Sequence, residues 1–262
     1  MNIPRTLAST LLVVSLAFTA GCANRNSKKK DQAYIARDVE TLYNIAKDTL
    51  EREQYRNAAL MFDEVERQHP YSVWARRAQL MSAFSYYASR QYPEAVLASQ
   101  RFLSLHPGNK DAAYAYYIIA ISYYEQIADV GRDQKITQQA LDTLTELVRR
   151  YPESRYAADA RLKIDLVNDH LAGKEMEIGR FYSKNRQWIA AAERYRNVIN
   201  SYQQTSHTPE ALHRLVEAYL ALGIPEEAQK SAAVLGANFP GSKWYERSYA
   251  LMQAHAVPQK AA

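Results

Sequence analysis

Proline keeps fixed company along this chain. Pro70, Pro107, Pro152 and Pro240 each end a stretch of helical apolar periodicity and lead into the next, in the echoes HPYSVWA, HPGNKDA, YPESRYA and FPGSKWY. Two residues after each proline stands Ser72, Asn109, Ser154 or Ser242, a side chain suited to accept a hydrogen bond from the free N–H groups that begin a helix. Proline therefore stops one helix and the polar residue starts another, which confines the chain to a succession of short helices.

The register extends backwards from each proline. A small or branched residue recurs 24 positions earlier and an alanine 12 positions earlier: Ala46 and Ala58, Ala83 and Ala95, Val216 and Ala228. The third unit has Ala120 and Ala140, 20 apart, and takes up the surplus in a turn around Gly131. A fourth has Gly179 and Ala191, with Gln203 in place of proline. This pattern resembles the tetratricopeptide repeat, a helix-turn-helix of about 34 residues with small residues at its eighth and twentieth positions, Tyr at its eleventh and Pro at its thirty-second. Tyr86, Tyr123, Tyr182 and Tyr219 fall on the eleventh position, and Thr49 departs from it. The resemblance implies an all-α chain, an α-solenoid of about five such repeats from Val39 to Pro240 with a closing helix from Ser242.

Composition narrows the chemistry. The chain has eight Gly and no GxGxxG, GxxxxGK[ST] or GxSxG, and its six His include no i,i+4 pair. No catalytic residue, metal or cofactor is expected, and His69 and His106, each just before a proline, read as capping residues. The formal charge of +5 looks like a nucleic-acid signal until it is located. Arg5, Arg25 and Lys28 to Lys30 are five of the 33 Lys and Arg, and no acid precedes Asp31, so the remainder holds 28 basic against 28 acidic groups. That balance leaves no net positive face for a phosphate backbone, and nucleic acid is excluded as a partner.

Residues 1–21 read as a signal peptide: Arg5, then an apolar run from Leu7 to Ala20, too short for a membrane span. Thr19-Ala20-Gly21-Cys22 resembles the bacterial lipobox, so Cys22, the only cysteine, is expected to carry a covalent lipid. Ala23 rather than Asp follows it, which points to the periplasmic face of the outer membrane. Residues 22–37 then form a polar linker, 38–152 hold units one to three, and 153–262 hold units four and five with the closing helix.

In a tetratricopeptide stack the first helix of each unit lines the face on which an extended peptide lies. Reading those positions gives Tyr43, Arg77, Leu80, Phe84, Tyr87, Tyr114, Tyr117 and Tyr124 in the first three units, an aromatic set. The fourth and fifth supply Gly173, Met176, Arg180, Ser183, Glu210, His213, Glu217 and Leu220, a more polar set. Twelve of the 20 Tyr precede residue 125, and the pairs Tyr86-Tyr87, Tyr116-Tyr117 and Tyr123-Tyr124 lie about 100° apart on a helix, so one member of each faces away from the repeat interior.

The lipobox at Cys22, the first unit in AxxxFxxVERQHPYSxWA spacing from Ala58, and LVEAYLALGIPEEAQK with VLGANFPGSKWY from Leu215 to Tyr245 are together similar to the BamD (ComL) family. The resemblance implies a non-catalytic lipoprotein subunit of the β-barrel assembly (BAM) complex. Such a subunit scaffolds the POTRA domains of BamA alongside the other BAM subunits and receives unfolded outer-membrane proteins, with the aromatic groove for substrate and the later units for BamA. Arg194 and Tyr195, in WIAAAERYRNVI, are the expected BamA contact. The alternatives are another periplasmic repeat lipoprotein adaptor, such as a pilotin or cell-envelope coordinator, and an enzyme.

Overall fold

The structure, a computed structural model, describes residues 38–255. The signal peptide, Cys22 and all of the linker before Asp38 lie outside the described residues. Among the described residues eleven helices follow one another: α1 (Val39–Glu51), α2 (Tyr55–Gln68), α3 (Val73–Ala88), α4 (Tyr92–Leu105), α5 (Ala112–Tyr124), α6 (Lys135–Arg150), α7 (Arg155–Lys184), α8 (Trp188–Ser201), α9 (Thr208–Ala221), α10 (Pro225–Asn238) and α11 (Lys243–His255). No strand occurs among the described residues. Each helix packs on its sequence neighbour, and the odd-numbered helices α1, α3, α5 and α7 pack side by side, as do α9 and α11. That arrangement is a stack of five helical hairpins closed by α11, the tetratricopeptide solenoid, and from Asp38 onward it is one compact unit.

The small residues of the register are where the two helices of each hairpin meet. Ala46, Ala83, Ala120 and Val216 are fully buried on the first helices, and Ala58, Ala95, Ala140, Ala191 and Ala228 are fully buried on the second. Short side chains at these crossings let the helix axes approach, and the larger Phe62, Phe102, Tyr195 and Leu235 fill the adjacent space with no exposure.

The turns are as regular as the helices. The tight turns within units one, two, four and five place Glu53, Arg90, Arg186 and Gly223 in the left-handed region, at φ 60°, 61°, 57° and 75°. Each stands five residues before the buried alanine of its second helix. Only Gly223 occupies that conformation without steric cost. Glycine at Glu53, Arg90 or Arg186 is expected to stabilise the fold by about 0.5–1 kcal/mol each, a gain measurable in chemical denaturation. In the third unit the longer turn 125–134 replaces this geometry and folds on itself: Asp129 accepts from the Gly131 N–H, and the Gln134 amide donates to the Arg132 carbonyl.

Between units, the residue before each proline breaks its helix in one conformation: His69, His106, Tyr151 and Phe239 have φ between −136° and −131°. Proline forbids the α region to its predecessor. Tyr202, before Gln203, adopts the same break at φ −131° without a proline, because the hydroxyls of Thr205 and Thr208 donate to its carbonyl at 2.8 and 3.0 Å. The expected caps divide. Ser72 and Ser242 accept from Ala75 and Tyr245 N–H, whereas Asn109 accepts from Asp111 N–H in a turn before α5, and the Ser154 hydroxyl is buried without a partner.

The 30-residue helix α7 serves two units. Its first half, with Ala160, Val167 and Leu171, closes the core beneath α5 and α6, and its second half, with Met176 and Gly179, pairs with α8. At its middle, Gly173 lies beneath Val130 of the long turn and His207 of the α8–α9 turn.

Candidate peptide and partner binding faces

Three odd-numbered helices gather an aromatic cluster. Tyr114 and Tyr117 of α5 both stack on Tyr156 at the start of α7, with ring centroids 5.4 and 4.9 Å apart. The Tyr117 hydroxyl donates to Asp159 at 2.8 Å, and Lys163 donates to the same carboxylate at 2.9 Å while its ammonium lies 5.2 Å above Tyr124. Arg155 covers the outer side of Tyr156, 4.8 Å from its ring, and Tyr87 of α3 packs on Tyr92. Phe84 and Tyr87 line the same region against the core beneath. All of these rings are half-buried, each presenting part of its surface to solvent.

A smaller group sits one unit earlier. Tyr43 of α1 contacts Phe62 and Trp74 at 5.5 and 4.8 Å, and the exposed Arg77 guanidinium lies 5.4 Å over Trp74. Of the residues expected to line one groove, Tyr43 and Arg77 thus belong to this group, and Phe84, Tyr87, Tyr114, Tyr117 and Tyr124 to the larger one. Leu80 is corrected: it is 8% exposed and packs with Phe102 and Ala115 between α3, α4 and α5, so it supports the groove as core and offers it little surface. Tyr156, Asp159 and Lys163 were not foreseen. They stand on the first half of α7, and the signal for them was YPESRYA, whose proline and serine announce a new helix in the row of α1, α3 and α5.

Electrostatics keep this cluster neutral at its rings. Burial pushes the Tyr114 phenol up to about 12. Tyr86 and Tyr117 are also raised, by burial first and then by donating to Asp63 and Asp159. Burial pushes the Asp159 carboxyl up, but the hydrogen bonds from Lys163 and Tyr117 outweigh it and leave the group below its ordinary value. A phenol raised in the fold contributes stability that is complete below the unfolded value near 10 and drains away as pH rises through the folded value. Replacing Tyr114 with Phe removes that liability. The alkaline unfolding midpoint, followed by far-ultraviolet circular dichroism, is expected to move to higher pH.

The later units are built differently. Tyr195 is corrected outright. It has no exposure, its ring fills the space over Gly179 and its hydroxyl shares a 2.9 Å hydrogen bond with Ser183, so it packs as core rather than as a surface residue. Arg194, beside it, points the other way and pairs with Glu175 at 3.2 Å on the wall of a polar cleft of about 510 Å³ shared with Tyr182, Glu193 and Asn197. Met176 and Gly173, read from the sequence as groove residues, are buried. His213 is 5% exposed and bonds Ser248 at 2.8 Å, tying α9 to α11. These units also present a cavity of about 520 Å³ lined by Arg180, Lys184, Trp188, Arg214, Glu217 and Leu251. Burial pulls the Arg214 guanidinium down, and Glu217 more than restores it.

Among the described residues no group of His, Cys, Asp and Glu is placed to hold a metal, and no helix is long and apolar enough to cross a membrane. Residues 35–235 match the outer membrane lipoprotein family YfiO. The chain belongs to that family. The chain is 54% identical over 252 residues to the outer membrane protein assembly factor BamD of Caulobacter vibrioides, covering 96% of this chain and 81% of the relative. It is 46% identical to the BamD of Rickettsia prowazekii, covering 94% and 96%, and 36% identical to that of Neisseria meningitidis serogroup A, covering 91% and 94%. Among solved structures it is similar to a thermophilic tetratricopeptide protein of Thermus thermophilus, at 18% identity and a TM-score of 0.38, over 83% of this chain and 100% of that one.

Proposed function

We propose that this YfiO lipoprotein is a non-catalytic subunit of the outer-membrane β-barrel assembly machinery, lipid-anchored through Cys22 at the periplasmic face of the outer membrane. Its first three units receive extended segments of unfolded outer-membrane proteins. Its fourth and fifth units dock the POTRA domains of BamA and the other subunits of the complex. The reading rests above all on the 54% and 46% identity to outer membrane protein assembly factors along nearly the whole chain. The division of labour draws on the chemistry of the two halves. Stacked phenols with exposed faces suit apolar and aromatic side chains, which lose little entropy on stacking. The Arg194 cleft and the Arg180–Arg214 cavity combine apolar lining with a few charged and hydrogen-bonding groups, a mixture suited to the surface of a folded partner.

The test is purification from membranes in gentle detergent followed by protein identification. The wild-type chain is expected to bring down BamA, and Arg194→Glu to bring down several-fold less while melting at the wild-type temperature. Recovery of BamA at wild-type yield with Arg194→Glu would remove that residue from the contact, and recovery of a secretin or pilus component in its place would overturn the assignment.

A further inference from the structure

Two neighbouring seams of the stack are built from the same positions and have opposite chemistry. Between units one and two, Asp63 accepts from Ser82 and Tyr86 at 2.5 and 2.6 Å, and Glu66 accepts from Gln79 at 2.8 Å. Arg101 of α4 then closes the seam, 2.9 Å from Glu66 and 3.7 Å from Asp63.

Moving 37 residues along, the counterparts of Asp63, Glu66, Gln79, Ser82 and Tyr86 are Gln100, Leu103, Tyr116, Ile119 and Tyr123. The counterpart of Arg101, six residues after the buried alanine of its helix, is Glu146. Both carboxylates and the arginine that satisfied them are gone. What remains between α4 and α6 is a cleft of about 410 Å³, floored by Leu103, Tyr116, Ile119 and Tyr123, with Arg150, the partner of Glu146, lying 5.4 Å over the Tyr116 ring at its edge.

The two carboxylates of the rim differ in their partners. Glu146 is already held by Arg149 and Arg150. Asp142 accepts only an amide hydrogen bond, from Gln138 at 2.8 Å, and no cation stands within ion-pair distance of it among the described residues. An apolar floor and an unneutralised carboxylate together specify what would complete the seam: an apolar side chain accompanied by a cation.

We propose that the α4–α6 cleft is a second protein-docking site, taking a partner segment that inserts an aliphatic or aromatic side chain over Leu103 and Ile119 and sets a nearby arginine or lysine against Asp142. The site is independent of the aromatic cluster. Helix α5 gives Tyr117 and Tyr124 to that cluster and Tyr116 and Tyr123 to the cleft, so the two faces accept occupants at the same time. The chain would then hold a partner on one side of α5 while an extended segment lies on the other.

The full chain, purified from membranes, is panned against a random peptide library displayed on phage, and a synthetic copy of the enriched peptide is titrated by fluorescence anisotropy. Two variants serve as probes. Leu103→Glu with Glu146→Arg rebuilds the closed chemistry of the first seam, and Asp142→Lys changes only an exposed rim charge. Peptides pairing an apolar residue with Arg or Lys are expected to be enriched, to bind both variants about tenfold more weakly, and to bind Tyr117→Ala as tightly as the wild type. Enrichment of no such sequence, or equal affinity for wild type and Asp142→Lys, overturns the proposal. Should the double variant melt early, Asp142→Lys alone decides.

Discussion

Gly179→Ala is expected to destabilise the fold by about 3 kcal/mol, roughly 10 °C in melting temperature for a domain of this size. A Cβ built there would stand 2.5 Å from Cε1 of Tyr195 and 3.0 Å from its Cδ1 and Cζ. The ring has no room to yield. It is fully buried among Ala191, Ala192 and Met176, and its hydroxyl is held by Ser183. Gly236 makes a useful contrast: its Cβ would meet Tyr245 at 2.7 Å, but that ring is only half-buried at the end of the stack and moves aside, so Gly236→Ala costs much less. Tyr195→Ala removes the obstacle and leaves a cavity, at about 3–5 kcal/mol. The informative protein is the double variant Gly179→Ala with Tyr195→Leu, whose loss is expected to fall well short of the sum of the single losses, because the new methyl occupies space the ring has vacated. Strict additivity in urea denaturation would show that the crossing of α7 and α8 is not built on this contact.

That contact also marks how far sequence reasoning reaches. The small residues Ala46, Ala83, Ala120, Gly179 and Val216 were legible because a close helix crossing excludes large side chains whatever lies around it, so the constraint is written into each unit separately. The fates of Leu80 and Tyr195 were not, because which side of a helix is covered depends on neighbours many residues away. A leucine at a groove-lining position becomes core once α4 and α5 both lean over it, and a tyrosine beside a surface arginine becomes core because the helix opposite offers a glycine. The tyrosine pairs fall between these cases. Their angular separation foretold that one member would turn outward, and the structure places Tyr117 and Tyr124 on one side of α5 and Tyr116 and Tyr123 on the other.

The candidate groove was half legible for a comparable reason. Counting unit four back from Gln203 gives positions on the second half of α7, where the long turn covers Gly173 and α8 covers Met176. The first half of that helix belongs to the row of α1, α3 and α5, and it supplies Tyr156, Asp159 and Lys163. These residues order the aromatic cluster. Tyr156 aligns two phenols, and Asp159 fixes one of them through its hydroxyl while orienting Lys163 over Tyr124.

As proposed above, this assembly of rings receives an apolar, extended segment. The second large effect follows from it: removing Tyr117 removes a stacking surface and the partner of Asp159 together, and removing Tyr156 unstacks Tyr114 as well. Each loss is worth about 1–2 kcal/mol of binding, and the two are coupled through shared contacts. Tyr87→Ala, at the edge of the cluster, costs less. The decisive measurement is a titration of the full chain with labelled peptides from the C-terminal strand of an unfolded outer-membrane protein, comparing wild type with Tyr117→Ala and with Tyr117→Ala/Tyr156→Ala at matched thermal stability. Affinity falling about tenfold in the single variant and further in the double is the result the structure predicts; unchanged affinity in both would contradict it.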